Sequence, residues 1–203
     1  MIVIKEEIVT AVSNLDRVVR GLSTTDFEIE CTRLKETIRH NLLVKLAELP
    51  ADLQYYMSLH CVLSGSAIAS LYHGEKPKDY DLWAKSSPGI GTVVSLLKTL
   101  EDFVTEDTGE HYSAMAGAKY ISPNAITLKN SLQFITLGDY KEQRERFDFV
   151  HCKPYYDIKT DQLFISEAQW GAIKNKKLIA NPGRFPATSR IHKFKKRGWN
   201  ATF

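Results

Sequence analysis

Two aspartates one residue apart, Asp79 and Asp81, form the chemically most informative pattern in the sequence. On a β-strand, residues two apart point to the same face, so both carboxylates would share one face. Carboxylates this close raise each other's pKa unless a cation lies between them, and their hard oxygen atoms suit Mg²⁺ or Mn²⁺. The pair predicts a divalent-metal site. A solvated strand face is the alternative, because 24 acidic residues produce such pairs by chance.

A Gly-Ser turn precedes this pair. The apolar run that ends at Leu63 predicts a buried strand, Gly65 and Ser66 follow it, and the small-residue segment 67–71 predicts a short helix. Gly65 would let backbone approach a ligand, while the free N–H groups at the helix start and the Ser66 hydroxyl can bind a phosphate. Steric and capping roles are the alternative for the turn taken alone.

A third carboxylate would complete a site that both holds metal and activates a hydroxyl. Asp148 is the candidate, because Phe147 and Phe149 flank it in the stretch RFDFVHC and predict a strand. The alternative is a buried aspartate that pairs with Arg144 or Arg146.

These motifs, in this order, resemble the nucleotidyltransferase superfamily with a DNA polymerase β-like catalytic core, over residues 58–158. The resemblance is to the small stand-alone bacterial or phage type. It implies that Asp79, Asp81 and Asp148 are catalytic and bind the metal ions, and that Gly65 and Ser66 bind the triphosphate of an NTP. It also implies transfer of an NMP to an acceptor hydroxyl, with release of pyrophosphate. RNA or tRNA, a protein hydroxyl and a small molecule are all compatible acceptors.

The elements around these motifs predict an α+β fold, with a mixed sheet flanked by helices. Apolar spacing in residues 1–57 predicts an N-terminal helical hairpin whose second helix runs from Asp26 to Pro50. Residues 58–160 would form the catalytic core, with a helix after Gly91 and a strand pair that turns at Asn130 and Ser131. Residues 161–203 would form a helical and basic extension packed on this core.

The end of the chain is strongly basic. The segment 184–197 carries six arginine and lysine residues and no acid, whereas the net charge of the whole chain is only +3. Such a cationic segment favours phosphate, either of the nucleotide or of a nucleic acid. The apolar residues that interrupt it at helical spacing, and predict a docked helix rather than a solvated tail, are Ile191, Phe194 and Trp199. The candidate phosphate or acceptor contacts on one side of that helix are Arg190, Lys193 and Arg197.

Composition predicts a cytoplasmic protein without membrane spans. Hydrophobic residues make up 43% of the chain and charged residues 25%, which is typical of globular proteins. Lys5 and Glu6 interrupt the apolar run that a signal peptide would need. The wide spacing of Cys31, Cys61 and Cys152 predicts reduced core thiols and no zinc site.

Two other classes of protein remain compatible with the sequence. One is a catalytically silent binding protein that keeps the nucleotidyltransferase fold, such as an antitoxin or a regulatory partner in phage defence. The other is a nucleic-acid-binding module whose basic segment is its whole function. The presence of Asp79, Asp81 and Asp148 together favours the enzyme, and dependence on Mg²⁺ and NTP distinguishes it from both.

Overall fold

A mixed seven-stranded sheet organises the residues that the computed structural model describes, which are 25–86, 118–122 and 124–201. Its order is β3-β4-β5-β2-β1-β6-β7, in which β2 and β5 are parallel and the other neighbours are antiparallel. The strands are β1 (Cys61–Ser64), β2 (Tyr80–Ala84), β3 (Ala118–Ser122), β4 (Ala125–Leu128), β5 (Leu132–Ile135), β6 (Tyr155–Asp157) and β7 (Gln162–Phe164).

Six α-helices accompany the sheet in the described ranges. They are α1 (Asp26–Leu46), α2 (Ala51–His60), α3 (Ser66–Tyr72), α4 (Tyr140–Arg144), α5 (Glu167–Lys174) and α6 (Thr188–Lys195). A short parallel pair, β8 (Lys177–Leu178) and β9 (Asn200–Ala201), ties the end of the chain to the segment after α5. The predicted α+β fold with a mixed sheet and flanking helices is confirmed.

The two faces of the sheet are covered differently, because alternate residues of a strand point to opposite faces. Leu63, Leu82 and Phe134 face the main hydrophobic core, which also contains buried residues of α1, α2, α3 and α5. Val62 and Trp83 face the other side, where, among the described residues, they pack in a smaller cluster with Tyr140. Asp81 lies two residues before Trp83 and therefore belongs to this second face.

Helix α1 begins where the sequence predicts and ends earlier. Thr25 caps it, because the Thr25 hydroxyl accepts from the Glu28 backbone N–H and Glu28 accepts from the Thr25 backbone. The predicted helix to Pro50 is wrong: α1 ends at Leu46, and Pro50 is the N-cap of α2. Proline disfavours helical backbone in the residue before it, so one continuous helix cannot cross this point.

Some predicted helices and domain boundaries are not tested by the described residues. The first helix of the predicted N-terminal hairpin and the helix after Gly91 lie outside them. Helix α2 runs across the predicted boundary between residues 57 and 58, and both sides of that boundary contribute to one hydrophobic core. The division at 57/58 and 160/161 stays a prediction. After residue 153 the chain forms the antiparallel pair β6 and β7, and Leu178 lies in β8 because α5 ends at Lys174.

The three cysteines are unpaired in the structure. Cys31, Cys61 and Cys152 are free, as predicted. Desolvation raises the pKa of each thiol to about 12, so none is a reactive thiolate at neutral pH. Within the described ranges, no helix combines the length and the apolar character needed to cross a membrane.

Glu30 joins three helices, and we expect Glu30→Ala to destabilise the fold. The Glu30 carboxylate of α1 accepts hydrogen bonds from Tyr72 of α3 and from Trp170 and Lys174 of α5. Its removal leaves the Trp170 N–H and the Tyr72 hydroxyl without their acceptor, which costs about 1–3 kcal/mol. Urea denaturation measures the change in the free energy of unfolding.

The control is Glu36→Ala on the same helix, where the carboxylate is 53% exposed and forms ion pairs with Lys35 and Arg39. Such pairs contribute about 0–1 kcal/mol. Hydrogen bonding to Lys174 and Tyr72 lowers the pKa of Glu30, so its stabilisation is present above the unfolded pKa and is lost as pH falls through the folded pKa. Equal effects of the two substitutions at pH 7 would contradict the role of Glu30.

Candidate active site

Asp81 lies in the middle of the sheet, on strand β2. Its neighbours across the sheet are Ser64 of β1 and Gln133 of β5. Desolvation and, as the second cause, the negative charge of Asp79 raise the pKa of Asp81 to about 7, while Lys193 acts in the opposite direction. Asp79 directly precedes β2, is partly buried, and has the Lys78 ammonium 3.8 Å from its carboxylate. The two carboxylates are close enough to interact, although the predicted placement of Asp79 on the strand is wrong because β2 begins at Tyr80.

Gly65 brings the turn after β1 against Asp81. Its φ of +94° lies in a region that residues with a side chain rarely adopt. A Cβ at this position would lie 2.7 Å from Oδ2 of Asp81, and the Gly65 N–H donates to the Cys152 carbonyl at 3.2 Å. The sequence predicted that Gly65 lets the backbone approach a ligand. In the structure, the backbone at Gly65 closely approaches the carboxylate of Asp81. Ser66 follows as the first residue of α3, as predicted.

The strand predicted around Asp148 is wrong. Asp148 lies in a bend, Phe149 makes one isolated bridge with Ala180, and a 3₁₀ helix (Val150–Cys152) follows. The backbone here contacts the segment at Asn181 instead of joining the sheet, since the Asp148 carbonyl accepts from the backbone N–H of Asn181 at 2.9 Å.

The partner of Asp148 also differs from the expected one. Arg190 of α6, and not Arg144 or Arg146, donates from Nη1 to Asp148 Oδ2 at 2.6 Å. The Asp148 side chain is only 11% exposed, whereas that of Arg190 is 64% exposed. A carboxylate this buried needs a cationic partner, and Arg190 meets that need from the solvent side.

One cavity of about 750 Å³ brings most of the predicted site residues together. Its lining includes Gly65, Ser66, Asp81, Asp148, Arg190 and Lys193. These residues come from the first turn, the central strand, the bend and α6, so the fold collects them from positions up to 128 residues apart. Asp79 is not part of this lining and acts on the site through its charge at Asp81.

The basic segment docks on the fold as predicted, with one residue placed differently. Phe194 and Trp199 are buried in the main core, and α6 carries Arg190 and Lys193 at the cavity. Arg197 was expected on the same side, which is wrong because α6 ends at Lys195 before the helical spacing reaches it. Arg197 instead donates to Glu75 and to Ser70 at 2.8 Å each.

The cavity also contains residues that the sequence interpretation missed. The period of two that places Asp79 and Asp81 on one face also places Trp83 there, so this signal was available. Gln133 had no such signal, because its position beside Asp81 depends on the parallel pairing of β2 and β5. The missed lining residues with polar or aromatic side chains include Trp83, Asn124, Gln133, Gln143, Arg146, Phe147, Arg184 and Phe185.

The acids fit a divalent cation in part. Asp79 and Asp81 are adjacent carboxylates whose repulsion and desolvation raise the pKa of Asp81, and a cation between them would relieve both. Asp148 is held by Arg190. In the described part of the chain, no three acidic, histidine or cysteine side chains form a group that could hold a metal ion. The pair fits a metal, and the three-carboxylate site stays a prediction.

Comparison with known families places the chain. A sequence model of the Gabija anti-defense 2 family, Gad2, matches residues 35–176, which is more than two thirds of the chain. The chain belongs to this family. The matched region of this Gad2-family chain includes Gly65, Ser66, Asp79, Asp81 and Asp148, and it ends before α6. No curated protein sequence matches the chain.

Solved structures similar to the Gad2-family chain include CCA-adding enzymes. One is the Thermotoga maritima enzyme in complex with tRNA, with a TM-score of 0.44 and 13% identity over 79% of this chain. Another is a CCA-adding enzyme with CTP, with a TM-score of 0.44 and 13% identity over 81% of this chain. The Gad2-family chain covers 42% of each of these enzymes, so it spans less than half of their length.

Proposed function

We propose that the chain is a metal-dependent nucleotidyltransferase that transfers an NMP from an NTP to an acceptor hydroxyl. The observation that carries this proposal is the cavity in which Asp81, Asp148, Ser66, Arg190 and Lys193 meet. Acids, a hydroxyl and cations that line one cavity can position the reacting groups and neutralise their charge, which is what phosphoryl transfer needs.

The cations of the cavity would bind the triphosphate. Among the described residues, the charged side chains of the lining are four cations, Arg146, Arg184, Arg190 and Lys193, and two acids, Asp81 and Asp148. This excess of positive charge attracts a polyanion, and arginine forks match phosphate oxygens in pairs of hydrogen bonds. The Ser66 hydroxyl, at the start of α3, adds a neutral donor.

Asp79 and Asp81 would hold Mg²⁺ or Mn²⁺ beside the triphosphate. The bound cation supplies neutralisation of phosphate charge. Gly65 keeps this arrangement compact, because its missing side chain leaves the space that Asp81 Oδ2 occupies.

Asp148 would position the acceptor hydroxyl and take its proton. In the transfer, the hydroxyl oxygen bonds to the α-phosphorus, the bond from that phosphorus to the bridging oxygen breaks, and pyrophosphate leaves. Arg190 would have two successive partners. It pairs with Asp148 in the free protein, and it can turn to the phosphates of a bound NTP because its side chain is largely exposed. This exchange would free Asp148 for the acceptor.

The family to which the chain belongs supports a biological setting for this activity. Its name, Gabija anti-defense 2, leads us to propose that the transfer counteracts the Gabija defence. An RNA or tRNA acceptor, and a cytoplasmic location, are part of this proposal.

A silent binding protein is the second candidate, and the Asp148–Arg190 pair favours it. With Arg190 bound at 2.6 Å, the third acid is neutralised and cannot serve chemistry in this arrangement. A protein that counteracts a defence by binding alone would need neither free acids nor NTP.

Labelled transfer tests the proposed activity. The purified chain is incubated with each NTP labelled at the α-phosphate, Mg²⁺, and cellular RNA and protein. We expect covalent label in one macromolecule, no label when EDTA removes the metal, and a preference for one NTP. No label with any NTP in Mg²⁺ or Mn²⁺, from a chain that is folded by circular dichroism, contradicts the enzyme.

A variant without one of the proposed metal-binding carboxylates decides between the enzyme and the binding protein in cells. If transfer underlies the anti-defence role, Asp79→Asn loses protection of phage in cells that carry Gabija. Full protection by a folded Asp79→Asn protein would identify binding as the function.

A further inference from the structure

The loop between β8 and α6 holds an aromatic ring at the mouth of the cavity. Phe185 is 97% exposed, more than any other large hydrophobic side chain of the described residues, of which Tyr55 is next at 69%. Phe185 nevertheless lines the same cavity as Asp81 and Lys193. A ring left in water beside a cavity is the kind of surface that a ligand covers.

This loop is anchored at both ends. At its start, buried Asn181 donates its backbone N–H to the Asp148 carbonyl at 2.9 Å and its side-chain amide to the Glu145 carbonyl at 3.1 Å. The Arg184 N–H closes a turn on the Asn181 carbonyl at 2.9 Å. At its end, the chain enters α6, whose Phe194 is buried.

Two prolines stiffen the loop further, because Pro182 and Pro186 each restrict one backbone torsion. Phe185 lies directly before Pro186, which disfavours helical backbone at the phenylalanine. The exposure of Phe185 is therefore built into an anchored segment. Because the backbone at Phe185 is already restrained, a ligand that stacks on the ring has less backbone freedom to remove.

The surroundings of Phe185 identify the class of ligand. Its sequence neighbours Gly183, Arg184, Thr188 and Ser189 are exposed and carry no large apolar side chain. The cavity beside it carries more arginine and lysine than acid. An aromatic face next to cations fits a flat heterocycle that bears phosphate, as in the binding of unpaired nucleotides.

We propose that Phe185 is a stacking platform for a nucleobase and that Arg184 binds the phosphate attached to it. The inference rests on the proposed nucleotidyl transfer and names the ligand of the same cavity. The base can come from the NTP or from an unpaired end of a nucleic-acid strand, and both present the same chemistry to the ring.

Binding measurements with Phe185 variants test the platform. One arm titrates the full chain with each NTP and Mg²⁺ by calorimetry, without acceptor. The other arm titrates it with a single-stranded RNA oligonucleotide that carries 2-aminopurine at its 3′ end, without NTP. We expect Phe185→Leu, which keeps apolar area but removes the ring, to weaken binding about 5- to 100-fold in one arm.

The controls separate stacking from general damage. Phe185→Trp should bind within about threefold of the wild type, because a larger ring stacks at least as well. Tyr55→Ala, at an exposed aromatic outside the cavity, should leave both affinities unchanged. The arm that responds identifies the source of the base.

Wild-type affinity of Phe185→Leu in both arms overturns the platform, as does a requirement for Phe185 only in the labelling of a protein.

Failure of the proposed transfer gives a different combination of results in the labelling and binding experiments. If the chain transfers no label but loses base binding on Phe185→Leu, the platform stands and the enzyme does not. If transfer occurs and Phe185→Leu binds normally, the enzyme stands and the stacking platform does not.

Discussion

Asp81→Asn should reduce nucleotidyl transfer by roughly 10²- to 10³-fold, a loss of several kcal/mol of transition-state stabilisation. The variant lacks a carboxylate that would hold the cation, and that cation would neutralise the charge of the phosphates. The same substitution should stabilise the metal-free protein. Desolvation and Asp79 raise the pKa of Asp81 from 3.8 to about 7 in the folded state. Opposite effects on activity and stability mark a residue that is kept for function.

The direction of the pH dependence follows from that shift. Between pH 3.8 and about 7 the folded protein holds a proton at Asp81 that the unfolded chain has released. Stability therefore falls as pH rises through this range, and the full cost of the charge remains above pH 7. Asp81→Asn should raise the free energy of unfolding at pH 8 by on the order of 2 kcal/mol and leave it unchanged near pH 4.

Urea denaturation at the two pH values, in EDTA, measures this difference. Asp52→Asn is the control, since Asp52 is exposed in the first turn of α2 and contributes at most a few tenths of a kcal/mol through the helix dipole. Addition of Mg²⁺ should stabilise the wild type more than Asp81→Asn. Wild-type transfer by folded Asp81→Asn would remove Asp81 from the mechanism.

Gly65→Ala should impair both the fold and the site. The backbone conformation at φ +94° costs a residue with a side chain about 1–3 kcal/mol. The new Cβ would also meet Asp81 Oδ2 at 2.7 Å, so the carboxylate has to move from its place in the cavity. We expect lower stability in urea, and transfer reduced at least about tenfold, because misplacement by a fraction of an ångström already disturbs positioning.

Gly74→Ala is the matched control. Gly74 also has a positive φ, of +67°, but a Cβ there has no atom within 4 Å. It should lose about 1 kcal/mol of stability and keep wild-type transfer.

A second comparison isolates the contact between Gly65 and Asp81. In an Asp81→Ala background the clashing oxygen is gone, and the nearest remaining atom, the Cβ of Asp81, lies 3.7 Å from the added methyl. Gly65→Ala should then cost less stability than it does in the wild type. An equal cost in both backgrounds would show that backbone strain alone explains the glycine.

The local patterns of the sequence predicted much of the fold around the candidate site. The strand ending near Ser64, the turn at Gly65 and Ser66, and the strand carrying Asp81 follow from apolar runs, glycine and the period of two. The cap at Thr25 likewise depends on residues within one helical turn. Such features need no knowledge of the rest of the chain, because the interactions that form them join near neighbours.

What the sequence could not indicate are the partners of Asp148 and Arg197. Apolar neighbours predicted a strand at Asp148, yet the backbone of Asn181 holds it in a bend and Arg190 supplies its cation. Arg197 follows helical spacing from Arg190, yet α6 ends first and Glu75 binds it. Each outcome depends on contacts between residues more than 30 positions apart, which only the packed chain brings together.

By itself, then, the sequence determined which residues are candidates for the chemistry and which local elements hold Gly65, Ser66 and Asp81. The tertiary structure decided that these residues share one cavity with Asp148, Arg190 and Lys193, that Arg197 stays outside its lining, and that Phe185 stands at its mouth. The physical reason is the range of the interactions. Torsional preferences and period-two alternation act within a few residues, whereas ion pairs, burial and the shape of a cavity arise when distant segments pack against each other.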